Sequence, residues 1–199
     1  MRDATIQGCG MRVLLILMVL ILTAAPAGGL LAQVLPGYDF ITFQAGYDGI
    51  LSAARADGYQ VREEEITSAY GSYHAVLDRR GQFYREDISL FFSRERRLIY
   101  FSIRFTLLEN QPRTIVRKLV GSMTEKLEEK YGESQREAVP YFRVHENAYE
   151  IMVYPPAPAS EAARVSFKHL DRYASHLEYY RLEIERLVDQ EIERTVENL

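Results

Sequence analysis

Cysteine is nearly absent from this 199-residue sequence, in which Cys9 is the only one. Cys9 precedes the apolar run near the N-terminus, whereas a lipid-modified cysteine has to become the first residue of the mature chain. We therefore expect no lipid anchor at Cys9, which would be discarded together with a cleaved signal peptide. A mature chain without a thiol can form no disulfide, no thiolate metal site and no cysteine nucleophile.

Local catalytic motifs are missing as well. The sequence has no Gly-x-Ser-x-Gly nucleophile elbow, no His-Glu-x-x-His zinc motif and no glycine-rich phosphate loop. We therefore name no catalytic residue and expect no cofactor, which favours a non-enzymatic protein. An enzyme stays open as the alternative, because a polar site that the fold assembles from distant residues leaves no local trace in a sequence.

The best arrangement of metal-ligating residues is His169, Asp171 and His176, which lie where a predicted strand meets a predicted helix. Two imidazoles and a carboxylate can bind a divalent metal ion if they converge. The alternative is that Asp171 caps the last helix while both histidines lie singly at the surface. We favour this alternative and expect no metal, because helix capping is the commoner use of Asp at such a junction.

A membrane-spanning run is also lacking. The longest strongly apolar stretch, residues 13–22, has ten residues, whereas a helix needs ~20 to cross the hydrocarbon core. Two arginines make the preceding segment basic, and Ala25 and Ala27 are small residues at the positions that a signal peptidase reads. This pattern predicts that residues 1–32 are a secretory signal peptide.

Cleavage after Ala27 fits the small-residue rule best, with cleavage after Ala32 as the alternative, and either Met1 or Met11 can be the start. The processed chain is then periplasmic or secreted and has no stable transmembrane span. The other interpretation is that the segment remains as an N-terminal membrane anchor. Export, together with 28 acidic against 24 basic residues, disfavours nucleic acid as a partner.

Charge is divided unevenly along the chain. Residues 79–118 carry ten Arg or Lys against four Asp or Glu, whereas residues 119–199 carry ten against sixteen. One interpretation is a basic face for an anionic envelope component, such as phospholipid head groups or acidic glycans. The other is that basic strands and acidic helices complement each other within one fold.

Alternation of apolar and polar residues predicts an antiparallel sheet. The surest strand covers residues 99–107, and we expect Phe101, Ile103 and Phe105 to lie in the core. Residues 88–93 alternate in the same way, so the charged residues between these two segments predict a hairpin loop. Weaker strands are predicted at 59–66, 73–78, 141–145, 148–154 and 163–169, which gives about seven strands.

Three helices are predicted around these strands, each from apolar residues at helical spacing. The first covers residues 47–54, the second carries a stripe from Ile115 to Tyr131 that includes Leu119, Met123 and Leu127, and the third begins near Asp171. The fold class is therefore α+β: an antiparallel sheet packed by two helices over residues 33–170, plus a C-terminal amphipathic acidic helix over 171–199. The order helix, strands, helix, strands suggests two similar halves.

The last helix has an apolar stripe that is longer than the domain needs. Expected to pack on the domain are Leu177, Tyr180, Ile184, Leu187 and Val188. The stripe continues in Ile192, Val196 and Leu199, where little chain remains to cover it. This predicts a partner-binding or self-association element, and the alternative is a frayed tail with a solvated acidic face.

Two functions of different classes fit these observations. The first is an exported envelope protein without catalysis, which binds an envelope protein or an anionic envelope component through its sheet or its C-terminal helix. The alternative is a small hydrolase or ligand-binding domain, whose site is lined by tyrosines, arginines and acidic residues of the sheet. A deep pocket with convergent polar groups would favour the alternative, and a flat or groove-like face would favour the first.

Overall fold

The computed structural model describes residues 36–135, 139–144, 146, 148–157 and 160–197, and the predicted signal peptide lies outside this part of the chain. Within the described residues the chain forms nine strands and three helices. The strands are β1 (Gly37–Tyr38), β2 (Ile41–Thr42), β3 (Gln60–Ser68), β4 (Gly71–Arg80), β5 (Tyr84–Phe92), β6 (Leu98–Leu107), β7 (Tyr141–Val144), β8 (Tyr149–Tyr154) and β9 (Ala162–His169). The helices are α1 (Tyr47–Ala56), α2 (Thr114–Tyr131) and α3 (Leu170–Glu197). None of the described helices is long and apolar enough to cross a membrane.

Seven strands form one antiparallel sheet in the order β3-β4-β5-β6-β9-β8-β7, and β1 pairs with β2 in a separate ribbon. The predicted α+β class, the antiparallel sheet of about seven strands and the long C-terminal helix are confirmed. The chain also shows two helix-then-strands halves, α1 with β3 to β6 and α2 with β7 to β9. The last strands of the two halves, β6 and β9, pair at the centre of the sheet.

One face of the sheet packs on α1 and α2 and forms the hydrophobic core. Phe101 on β6 is fully buried and stacks on Phe167 of β9, with ring centroids 4.5 Å apart. Ile103 and Phe105 are buried too, so the predicted core strand is confirmed. Fully covered helix residues include Ile50, Leu51 and Ala54 of α1 and Val116 of α2, whereas Leu119, Met123 and Leu127 of α2 are only partly buried against this core.

Glu86 on β5 is a carboxylate buried at one end of the core. Arg79 Nη2 donates a hydrogen bond of 3.1 Å to Glu86 Oε2, and the Arg79 guanidinium lies 4.2 Å from the centroid of the Tyr59 ring. Burial, followed by the neighbouring Glu86 carboxylate, raises the pKa of Tyr38 and of Tyr59. A phenolate is disfavoured at both positions because it would be desolvated and would face a negative charge.

The stability of the fold is therefore expected to fall at alkaline pH. Because the pKa of these tyrosines is higher in the folded than in the unfolded chain, their contribution is complete below about pH 10 and is lost as the pH rises through the folded values. Tyr38→Phe should flatten this decrease in the free energy of unfolding, whereas Tyr70→Phe, at a tyrosine that is 48% exposed, serves as the control. Denaturant unfolding between about pH 9 and pH 12 measures the slope. A slope that Tyr38→Phe leaves unchanged would contradict the burial of this hydroxyl.

Helix α3 follows β9 directly and crosses the ends of the strands. In its first turn the Arg172 guanidinium donates hydrogen bonds of 2.8 and 2.9 Å to the carbonyl oxygens of Phe43 and Leu98. One turn later His176 Nε2 lies 2.9 Å from the carbonyl oxygen of Ser68, at the end of β3. The first part of α3 is thus anchored to three backbone carbonyl groups, one in the segment before α1, one at the start of β6 and one at the end of β3.

The second part of α3 extends beyond the domain, and every residue from 184 to 195 is exposed. His176 already contacts the end of β3, which is the edge strand of the sheet. The helix therefore reaches the edge of the sheet in its first part, and the rest of it extends past the sheet. The expectation that the stripe packs on the domain is wrong for Leu177, Ile184, Leu187 and Val188, which are 37%, 37%, 40% and 51% exposed. For the last three, the reason is that the sheet is narrower than the helix is long.

Candidate functional site

The sheet face opposite the core is open, and we call it the open face. The strand register arranges its side chains in rows that run across the strands. One row contains Asp78, Asp87, Arg104, Arg164 and Tyr154. The next contains Val76, Ser89, Ser102, Ser166 and Met152, and a third contains His74, Phe91, Tyr100, Lys168 and Glu150. The rows combine three basic and three acidic side chains with aromatic rings and small hydroxyls, so an anion site on the open face would be local and would not extend over the whole face.

Two arginines lie side by side at the centre of the open face. Arg104 on β6 and Arg164 on β9 are direct cross-strand partners, and both are exposed. Neither forms a salt bridge within the described part of the chain, although the Arg164 guanidinium lies 4.3 Å from the centroid of the Tyr154 ring. Like charges directly opposite each other on adjacent strands are destabilising. An anion bound between the two guanidinium groups would remove this cost.

Asp78 on β4 and Asp87 on β5 form a cross-strand carboxylate pair on the same face. Arg85 forms salt bridges with both, at 2.8 Å from Asp87 Oδ1. Burial, followed by the hydrogen bond with Asp78, raises the pKa of Asp87. Adjacent carboxylates can serve in general acid–base chemistry, and an open groove of about 1160 Å³ lies beside Asp78. Arg85 holds both carboxylates in an ion cluster, however, so the arrangement favours a structural or binding role over proton transfer.

Aromatic rings close the open face at the end that α3 crosses. The Tyr70 ring, from the β3–β4 turn, has its centroid 5.7 Å from the centroids of Phe91 and Tyr100 and 6.2 Å from that of Tyr173 on α3. Lys168 Nζ lies 4.7 Å from the centroid of the Tyr173 ring. These contacts pack the first turn of α3 against the sheet, so the direction in which the rest of the helix extends is determined by the domain.

The part of α3 beyond the domain, residues 184–197, is called the distal segment. Its large apolar residues Ile184, Leu187, Val188 and Ile192 form the apolar stripe, and they are 37%, 40%, 51% and 56% exposed. Their spacing places them on one side of the helix. Because each of these residues is exposed, the apolar stripe faces solvent along its whole length.

Acidic residues predominate along the distal segment. The distal segment contains Glu185, Asp189, Glu191, Glu193 and Glu197 against only Arg186 and Arg194. Arg186 is already engaged, because its Nε donates a hydrogen bond of 3.0 Å to Glu183 Oε2. Negative charge near the C-terminal end of a helix destabilises the helix, because the helix dipole is negative at that end. The distal segment is thus an apolar stripe on a predominantly acidic helix, a surface that basic residues of a partner would complement.

The three candidate metal ligands are not brought together. His169 lies at the core end of β9 between Phe43 and Tyr149, with ring centroids 5.8 and 4.7 Å away, and burial lowers its pKa. Asp171 is exposed in the first turn of α3, where a carboxylate is favoured by the helix dipole. His176 is buried against the end of β3, so the expectation that both histidines lie at the surface is wrong. Among the residues that the structure describes, no three His, Cys, Asp or Glu side chains are grouped to hold a metal ion.

No protein-family model, curated protein or solved structure matches this chain. Its function is therefore inferred from its own surfaces. Sequence reasoning did not identify the Arg104–Arg164 pair or the Asp78–Asp87 pair, since each joins strands whose register the sequence does not reveal. The only local signal was alternation, which places Arg104 on the polar side of its strand.

Proposed function

We propose that this protein is an exported envelope protein that acts by binding another protein through the distal segment of α3. The observation that carries the proposal is the run of consecutive exposed residues from 184 to 195, which includes the entire apolar stripe. Contiguous apolar surface of this kind on a soluble domain marks an interaction site. The short apolar run and small residues near the N-terminus support export.

The charge of the distal segment indicates what the partner offers. Five acidic residues against two basic ones favour an apolar groove bordered by Lys or Arg, into which an amphipathic helix can insert its apolar side. A second copy of the chain would place two acidic segments side by side, which is electrostatically unfavourable. Self-association is therefore the alternative occupant, and the oligomeric state distinguishes it.

Truncation after Arg186 tests the proposal directly. It removes residues 187–199 and leaves the residues of α3 that contact the domain. The free energy of unfolding should change by less than about 0.5 kcal/mol, because the removed side chains that the structure describes, those of residues 187–195, are exposed. The truncated protein should no longer retrieve the envelope proteins that the full chain retrieves. If it retains the same proteins and the same sedimentation behaviour, the distal segment does not carry the interaction.

The open face supports a second candidate, the binding of an anionic envelope component. The specific observation is the exposed Arg104–Arg164 pair, which forms no salt bridge within the described residues. The hydroxyl group of Ser102 lies in the adjacent row and can donate a hydrogen bond to a phosphate or carboxylate oxygen, whereas its cross-strand partner Ser166 is buried. An exposed pair of arginines on an open sheet face suits phospholipid head groups at a membrane surface.

The double variant Arg104→Gln with Arg164→Gln should weaken binding to vesicles that contain phosphatidylglycerol. Each basic residue near an anionic membrane contributes about 1 kcal/mol, so the loss should be roughly 10- to 30-fold. Co-sedimentation with vesicles at low and high salt measures it. The matched control is Arg117→Gln with Lys118→Gln, which removes the same charge from α2. Equal losses in both double variants would show that net charge alone is responsible and would refute a site at the open face.

A further inference from the structure

A groove separates α2 from the core face of the sheet. The groove has a volume of about 330 Å³, at the lower end of the range for small-molecule sites, roughly 300–1,000 Å³. Leu119, Met123 and Leu127 line the helix side of the groove. Tyr38, Tyr84, Phe105 and Phe167 line the sheet side. The side chains of the α2 stripe are thus only partly buried because they form an apolar wall of this groove, and no described residue fills the groove.

The groove has a positive rim. Lys126 and Lys130 are one helical turn apart on α2, line the groove and are exposed. Neither forms a salt bridge within the described residues, although Lys130 Nζ lies 5.0 Å from the centroid of the Tyr131 ring. Lysines pack their methylene stems on apolar surface while the ammonium group stays in water. Both ammonium groups can therefore reach an anion at the entrance.

The sheet side of the groove has a negative charge nearby, in contrast to the positive rim on α2. Tyr38, on the sheet side of the groove, lies next to the buried Glu86 carboxylate, which contributes to raising the pKa of this tyrosine. An anionic group placed deep in the groove would approach this carboxylate and lose its hydration. A ligand with an apolar chain inside and a negative head group at the lysines satisfies both ends of the groove.

We infer that this groove binds a single-chain fatty acid anion, with its acyl chain between α2 and the sheet and its carboxylate at Lys126 and Lys130. The volume suits one short or medium-length chain and is too small for a two-chain lipid. The apolar lining stabilises the chain, and the two exposed ammonium groups select a carboxylate over an uncharged head group. This site is separate from the distal segment and from the open face.

Calorimetric titration of the purified protein with decanoate and with decanol tests the inference. Lys126→Gln with Lys130→Gln should weaken decanoate binding roughly five- to tenfold, since exposed charge pairs each contribute modestly, and should leave decanol binding unchanged. Arg117→Gln with Lys118→Gln, which removes the same charge from the same helix outside the groove, is the matched control. Met123→Trp should reduce binding of both ligands, because the larger side chain occupies the groove.

Three results would overturn the inference. The first is that decanoate fails to bind the unaltered protein. The second is that decanoate binds the double lysine variant as tightly as it binds the unaltered protein, and the third is that Met123→Trp leaves the affinity for decanoate unchanged. Far-ultraviolet circular dichroism of each variant establishes that the fold is retained, so that a loss of binding is not caused by unfolding.

Discussion

Phe101→Ala is expected to lower the free energy of unfolding by ~3–5 kcal/mol, the usual cost of truncating a fully buried Phe. Phe101 is on β6 at the centre of the sheet, where its ring stacks on Phe167 and lies 5.6 Å from the centroid of Phe43. Removing the ring leaves a cavity where the two halves of the fold meet. Neighbouring side chains come from two strands and the segment before α1, so the cavity cannot close without moving them.

Phe83→Ala is the matched control, because Phe83 lies in the turn between β4 and β5 and is 42% exposed. Its truncation should change the free energy of unfolding by less than about 0.5 kcal/mol. Denaturant unfolding of the two variants gives both values under the same conditions. A decrease below about 1 kcal/mol for Phe101→Ala would place this face of β6 in solvent and contradict the packing of α1 and α2 on it.

Leu187→Glu combined with Val188→Glu is expected to abolish partner binding while leaving the fold intact. Both residues are exposed in the free protein, so the free energy of unfolding should decrease by less than about 0.5 kcal/mol. In a complex they would be buried in the centre of the interface, where truncating one anchor residue commonly costs about 2 kcal/mol or more. Two buried charges in place of two anchors should weaken binding by at least about a hundredfold.

Leu182→Glu is the control for this variant. Leu182 is 52% exposed and lies roughly on the opposite side of α3 from Ile184 and Val188. The substitution adds a negative charge to the same helix without entering the apolar stripe. Affinity chromatography and sedimentation should show binding retained in Leu182→Glu and lost in the double variant. A similar loss in both would mean that the acidic charge of the helix, and not the apolar stripe, determines binding.

The fold was predicted where the sequence repeats a strong local pattern. Residues 99–107 alternate over a full strand, and Leu98–Leu107 is the central strand β6. The β1–β2 ribbon was not predicted, because two strands of two residues each, Gly37–Tyr38 and Ile41–Thr42, are too short to show a period. The stripe of α2 was identified, but its partial burial depends on the distance between helix and sheet, which no local pattern encodes.

The surfaces were harder to predict because they depend on contacts between distant residues. Arg104 and Arg164 are sixty positions apart in the chain, and only the pairing of β6 with β9 makes them neighbours. The exposed end of α3 was predicted, but the continuous exposure begins at Ile184, whereas the sequence pattern placed its beginning at Ile192. Periodicity identified the apolar side of the helix, whereas the width of the sheet decides how much of that side the domain can cover.

Photo-cross-linking in intact cells tests most directly whether the apolar stripe binds another macromolecule. A photoreactive amino acid replaces Val188 in one variant and Glu193, roughly on the opposite side of α3, in the other. We predict a discrete adduct with a different protein from position 188 and none from position 193. An adduct of twice the chain mass would still support binding through the stripe but would identify a second copy as the partner. No adduct at position 188, or equal adducts at both positions, would contradict the proposal.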